Sequence, residues 1–283
     1  MNPHYHHFIP KIPLGEWVSN FVDYIVNHFD AFFMTISKGL GWFVNELVTL
    51  FSWINPFVFI IIVAAIAFWR SGWGVALFTL IGLWLIFDLG YWFETMQTLA
   101  LILTAIIISV IIGVPFGIWI GLSDTAKKII TPILDFMQTM PAFVYLIPTV
   151  FLFGTGMAPG IIATVIFSMP PTIRLAGLGI RQVPEDLIEA SDAFGSTTAQ
   201  KLFKVQLPMA TSTIMAGVNQ SIMLALSMVV ISSLVAAPGL GAKVYLAVTQ
   251  LRLDIGVESG LAIVIIAIVL DRISQNIRKK KKA

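Results

Sequence analysis

The chain has 283 residues, 58% of them hydrophobic and only 11% charged, with a mean hydropathy of +0.91, a net charge of +2 and no cysteine. An ordinary globular domain carries about 25% charged residues, so a soluble fold lacks the polar surface to cover this content, and a disordered chain would need the opposite composition. Continuous rather than alternating apolar runs exclude a transmembrane barrel and leave an all-α polytopic membrane protein, while the missing cysteines remove disulfides, thiolate metal sites and a cysteine nucleophile.

Residues 1–13 have no apolar core followed by a small-residue cleavage site, so no signal peptide is expected. Across 14–54, Trp17, Phe21, Tyr24, Ile25, Phe29, Phe32 and Phe33 recur at helical spacing, with Glu16, Asp23, Asn27, Asp30 and Lys38 between them. That pattern suits an amphipathic scaffold helix lying along the membrane interface, or one packed on another domain. Seven candidate spans follow, at 56–69, 73–87, 96–122, 136–153, 157–173, 209–237 and 257–270. Gly113, Gly117 and Gly121 form a small-xxx-small series around Pro115, which serves either close helix packing or a moving gate. Pro141 and Pro148 share a face of the fourth span, and Pro170-Pro171 is expected to end the fifth. The resulting organisation is a scaffold over 1–55, two peripheral spans over 56–90, a core over 91–272 and a basic tail over 273–283.

Charge placement sets the orientation. Arg70, Lys127, Lys128, Arg174, Arg181, Lys201, Lys204, Arg272, Arg278 and Lys279 to Lys282 fall on one side, 13 of the 17 basic residues. That side is expected to be cytoplasmic, with the carboxyl end in the cytoplasm and the amino end outside a bacterial plasma membrane. The tail would be drawn to anionic lipids; no nucleic-acid partner is expected.

Residues 96–122, 136–173 and 205–242 contain no Asp, Glu, Lys, Arg or His. A proton-coupled carrier needs ionisable groups at membrane depth, so proton coupling is disfavoured, whereas a sodium-coupled carrier or an osmotic channel remains open. No phosphate-binding glycine loop is present. ATP-driven transport would therefore need its nucleotide site, with ATP and magnesium, on another subunit; the chain itself is expected to be no enzyme and to carry no cofactor. His4, His6 and His7 are read as an exposed tail rather than a metal site.

The only long polar segment is 181–208. Pro184 suits the start of a helix, with Glu185 and Asp186 near the positive end of its dipole. Gly195 suits the left-handed residue closing that helix. Ser196, Thr197 or Thr198 can cap a second helix, limited by Pro208. Leu187, Ile188, Ala190 and Phe194 give this knob an apolar side for a partner to clasp.

Glu189-Ala190-Ser191-Asp192-Ala193-Phe194-Gly195, followed by Leu207-Pro208, resembles the EAA loop of permeases from binding-protein-dependent ABC importers, with Ser191 standing where a second alanine is usual. The stretches 138–148, 167–174 and 178–184 are similar to permeases of glycine betaine/proline betaine importers of the OpuA type, and the likeness spans about residues 90–272. It implies a type I ABC importer transmembrane fold and a coupling helix seated on an ATPase subunit. It also implies an extracellular substrate-binding lipoprotein, a second copy of the permease, and a quaternary-ammonium osmolyte as cargo. The coupling residues it implies are Glu185, Leu187, Glu189, Ala190, Asp192, Phe194, Gly195, Phe203, Leu207 and Pro208. Candidates for the translocation pathway are Gln138, Met140, Pro141, Tyr145 and Asn219, and Phe143, Tyr145, Phe153 and Trp119 carry faces able to meet a quaternary ammonium. Choline, proline or carnitine are alternative cargoes that the permease sequence does not separate.

Overall fold

The computed structural model describes residues 13–275; the His4/His6/His7 cluster and the basic run Arg278 to Lys282 lie outside the described residues. All regular structure among the described residues is helical. Helix α1 (Leu14–Trp53) kinks at Phe29 and meets α2 (Pro56–Ser71) at 99°. Asn55 makes that corner: its side chain accepts from the Phe57 N–H at 3.0 Å, and Pro56 occupies the first helical position, where no N–H is needed. Trp17, Phe21, Tyr24, Phe32 and Trp42 on α1 are exposed. Its second half packs through Val44 and Val48 onto Ala100, Leu101 and Ala105 of α4 (Trp92–Leu122), and onto Ile161 and Val165 of α7 (Met157–Arg181).

Helices α2 and α3 (Trp73–Asp88) form a hairpin that turns at Gly72, whose φ of 92° is open to glycine at little cost. Each has 16 residues, about 24 Å of helix against a hydrocarbon core of about 30 Å. Four continuous helical runs are long and apolar enough to cross a bilayer: α4, α7, residues 198–235 and α12 (Leu253–Gln275). The expected count of seven spans therefore divides into four such runs, one short hairpin and one broken segment.

The broken segment is 136–153. Helix α5 (Asp124–Thr139) begins between the third and fourth expected spans and stops at Met140. The chain then turns by 109° through a 3₁₀ turn (Ala142–Tyr145) into α6 (Leu146–Phe153). Pro141 is the physical reason. It drives Met140 into an extended conformation (φ −71°, ψ 134°) and has no N–H for the Met137 carbonyl. The Tyr145 hydroxyl donates to that orphaned carbonyl, while its ring is buried beside Phe167. Tyr145→Phe keeps the ring and strands the carbonyl, so a loss of about 1–3 kcal/mol is expected, read as a lower thermal midpoint in detergent.

Three other prolines do not end helices as expected. Helix α7 continues through Pro170-Pro171 to Arg181. Neighbours support that stretch: Pro170, Pro171 and Thr172 are buried, Ser221 donates to the Ser168 carbonyl, and Thr172 and Ser221 share a hydrogen bond of 2.7 Å. The prolines leave the Ile166 and Phe167 carbonyls, not that of Ser168, without an N–H, so it is the buried packing around the pair that makes it tolerable. Pro208 likewise starts rather than stops a helix. A π-turn (Leu202–Gln206) joins α9 (Thr198–Lys201) to α10 (Leu207–Ser232), and its wider repeat lets the Leu207 N–H reach back to the Leu202 carbonyl.

Helix α7 lies between α4 and α10, and glycines set how close they come. A methyl at Gly117 would stand 2.4 Å from Ala176 Cβ, one at Gly121 2.8 Å from Ile180 Cβ, and one at Gly217 2.9 Å from the Pro171 carbonyl. The Gly113/Gly117/Gly121 series is thus the tight seam between α4 and α7.

Candidate functional site

Between α7 and α10 the chain builds a two-helix knob. Its first helix, α8 (Glu185–Ala193), starts after Pro184 and places Glu185 and Asp186 in its first turn. At its end Gly195 adopts φ 73°, the Gly195 N–H bonds the Asp192 carbonyl at 2.9 Å, and the Ser196 N–H bonds the Ser191 carbonyl at 3.0 Å. This pair of bonds is the Schellman closure. Helix α9 follows with a complete capping box, in which Thr197 accepts from the Gln200 N–H and the Gln200 side chain accepts from the Thr197 N–H. Lys201 Nζ reaches both oxygens of Asp192, at 2.7 and 2.8 Å, and ties α9 back to α8.

Buried Val183, Ser191 and Gln206 root the knob. Its outer surface is apolar and bare: Phe194 is 90% exposed, Phe203 67% and Leu187 41%. Glu185, Glu189, Ala190 and Pro208 are exposed as well, and Leu207 is half-buried. Asp192 differs from the other acidic residues because Lys201 already occupies its carboxylate. Leu187, Phe194 and Phe203 present large apolar surface that the described residues leave open, a geometry suited to insertion into a partner's groove.

The knob is also tied to the end of α4. Arg181, four residues before Glu185, donates from Nε and Nη2 to the Ile120 carbonyl at 3.1 and 2.8 Å, and its Nη1 meets Asp124 Oδ1 at 2.7 Å. The guanidinium thereby caps a helix end whose last carbonyls lack intrahelical partners. Two turns earlier on α7, Arg174 pairs with Asp135. These four residues are absent from the sequence-based site. Their signal was the spacing, since seven residues separate the arginines and eleven the aspartates, and each spacing returns a helix to the same face.

Gln138, Met140, Pro141 and Tyr145 gather at the α5–α6 bend, with Gln138 and Pro141 exposed, Met140 half-buried and Tyr145 buried. Asn219 lies on α10, and its Oδ1 is buried without a hydrogen-bond partner. At the other end of α4, Tyr91 donates to Glu258 at 2.9 Å, Lys243 pairs with Glu94 at 3.1 Å, and the Leu240 N–H bonds Thr98 at 2.9 Å. Burial and the facing Glu258 carboxylate push the Tyr91 hydroxyl up to about 12. These contacts pin α11 (Leu240–Thr249) and α12 to α4.

Residues 113–282 match the family described as binding-protein-dependent transport system inner membrane component. The chain belongs to this family. The permease is 61% identical over 97% of its length to the glycine betaine transport system permease protein OpuAB of Bacillus subtilis, covering 98% of that protein. It is 52% identical to the glycine betaine/carnitine transport permease protein GbuB of Listeria monocytogenes, over 97% of this chain and 99% of that one. With the glycine betaine/proline betaine permease ProW of Escherichia coli it shares 48% identity over 96% of its own length and 77% of ProW. Among solved structures, the MetNI methionine ABC transporter in inward facing conformations superposes with a TM-score of 0.59 at 21% identity, covering 68% of this chain and 95% of that one. The fold is thus that of a type I ABC importer transmembrane subunit, carried by a multi-pass membrane protein.

Proposed function

We propose that this permease is the translocating subunit of an ATP-driven importer of glycine betaine or related quaternary-amine compatible solutes. One observation carries the cargo: 61% identity along 97% of the chain to a glycine betaine permease. The kinship with a glycine betaine/carnitine permease favours the wider quaternary-amine class over a single solute. A zwitterion of zero net charge needs no fixed counter-charge at membrane depth, in keeping with the uncharged blocks at 96–122, 136–173 and 205–242. Gln138, Met140, Pro141 and Asn219 are the proposed pathway contacts, with Tyr145 bracing the bend beside them.

In this reading the knob is the coupling element. Leu187, Glu189, Phe194 and Phe203 seat in a groove of a separate ATPase subunit, which holds ATP and magnesium. ATP binding draws two such ATPases together, and the knobs of two permease copies move with them, switching the helices from inward to outward access. An extracellular substrate-binding protein delivers the osmolyte. The knob and the carboxyl end face the cytoplasm, where the basic tail is drawn to anionic lipid, the amino end faces outside, and α1 lies along the membrane surface.

The test is reconstitution. Purified chain together with its ATPase and binding protein should accumulate labelled glycine betaine in vesicles only with ATP, with unlabelled carnitine or choline as competitors to set the range. Uptake by the chain alone would overturn the ATP-driven reading, and failure of glycine betaine to compete with any transported solute would overturn the cargo.

A further inference from the structure

The two ion pairs between α5 and α7 have a geometry that the coupling reading does not use, and this inference rests on that reading. Arg174–Asp135 and Arg181–Asp124 join antiparallel helices at two levels, each helix contributing from a single face. Between the two rungs Ala126, Ile130 and Leu134 of α5 pack on Ile120 and Ile173. The upper rung stands four residues from the start of α8, and the lower one is five residues from Met140, where the chain breaks toward α6.

We propose that Arg174 and Arg181, through Asp135 and Asp124, are positioning residues that make α5 move with α7, so that displacement of the knob is delivered to the Met140–Pro141 bend. The knob has two covalent outlets, α7 through residues 182–184 and α10 through the π-turn. Neither leads directly to α5. The seam of Gly117, Gly121 and Gly177 makes α4 and α7 one body at this end, since any added methyl there would overlap the facing helix. Helix α5 rests on ordinary side-chain packing, Ala126, Ile130, Leu134 and Met137 against Ile120, Met169 and Ile173, which fixes its axial position less tightly than a glycine seam. Two guanidinium–carboxylate pairs set its position along the α7 axis by direction as well as by attraction.

The carboxylates are 59% and 79% exposed and the arginine side chains only about a third, so each pair is open to solvent on its acidic side and contributes modestly to folding. Their removal should therefore spare the fold and affect transmission. The experiment uses the complete transporter in vesicles with Asp124→Asn, Asp135→Asn and the double substitution. Solute imported per ATP hydrolysed is measured alongside ATPase retention and thermal midpoint. The double variant should keep its ATPase and continue to hydrolyse ATP, while solute per ATP falls at least tenfold and each single variant falls between. The exchanged pair Asp135→Arg with Arg174→Asp should recover more than half of the coupling lost by Asp135→Asn. An unchanged ratio in the double variant overturns the proposal. So does a joint fall of thermal midpoint, hydrolysis and uptake without rescue by the exchange, which marks a folding role. Loss of ATPase from the unmodified chain would instead remove the coupling reading itself, before any substitution is compared.

Discussion

Gly117→Ala is expected to destabilise the permease by about 1–3 kcal/mol, although it adds a single methyl group to a helix interior, where alanine is intrinsically the better residue. The added carbon would stand 2.4 Å from Ala176 Cβ and 2.7 Å from the Ile173 carbonyl oxygen. The first contact is a methyl with no rotamer to change, and the second is backbone. Relief requires α4 and α7 to separate along a seam that Gly121 and Gly177 also keep tight, with added methyls 2.8 and 2.5 Å from the facing helix. Gly39→Ala in α1 is the same chemical change with the opposite expected sign. Nothing lies within 4 Å of that position, so the gain in helix propensity, about 0.5–1 kcal/mol, is retained. Thermal midpoints of the two variants, measured in one detergent, should therefore fall on either side of the parent. Ala176→Gly combined with Gly117→Ala should recover part of the loss, because it removes one of the two colliding groups. Equal midpoints for Gly117→Ala and Gly39→Ala would mean that α4 and α7 do not meet as described.

The same glycines show how far the residues alone can be read. Their four-residue spacing marks a face made for close approach, and the structure supplies the partner, α7, which no local pattern identifies. The knob was legible almost residue by residue, because its determinants are local: Pro184 before the helix, Gly195 in the left-handed region, Thr197 as a cap. Prolines deeper in the chain misled for the opposite reason. Whether a proline ends a helix depends on what neighbours do for the freed carbonyls, and Pro170, Pro171 and Pro208 are accommodated by tertiary packing or by a π-turn. Pro141, which does break the chain, looks no different in sequence. The ion pairs of Arg174 and Arg181 were counted as topology signals alone, since charge bias reports a side of the membrane and not a partner.

Replacing Phe194 should separate binding from folding more cleanly than any other change. Its ring is 90% exposed, so Phe194→Ala removes almost no packing and should leave stability within about 0.5 kcal/mol of the parent. At a partner interface, a central aromatic anchor is worth on the order of 2 kcal/mol, or about thirtyfold in affinity. Phe194→Ala together with Leu187→Ala should therefore cost most of the ATPase retained on the purified chain, with only a small fall in thermal midpoint from the covered part of Leu187. Gly195→Val acts through the other route. A β-branched residue at φ 73° strains the closure of α8 by about 1–2 kcal/mol or more, so the knob loses its shape as well as its partner. The two variants should thus look alike in a pull-down and differ in melting and in protease resistance at 185–197. Full ATPase retention by the Phe194/Leu187 variant would show that the exposed apolar face is not what the motor grips. The grip would then fall to Glu185, Asp186 and Glu189, the exposed acidic residues of α8 other than Asp192, whose carboxylate is already held by Lys201.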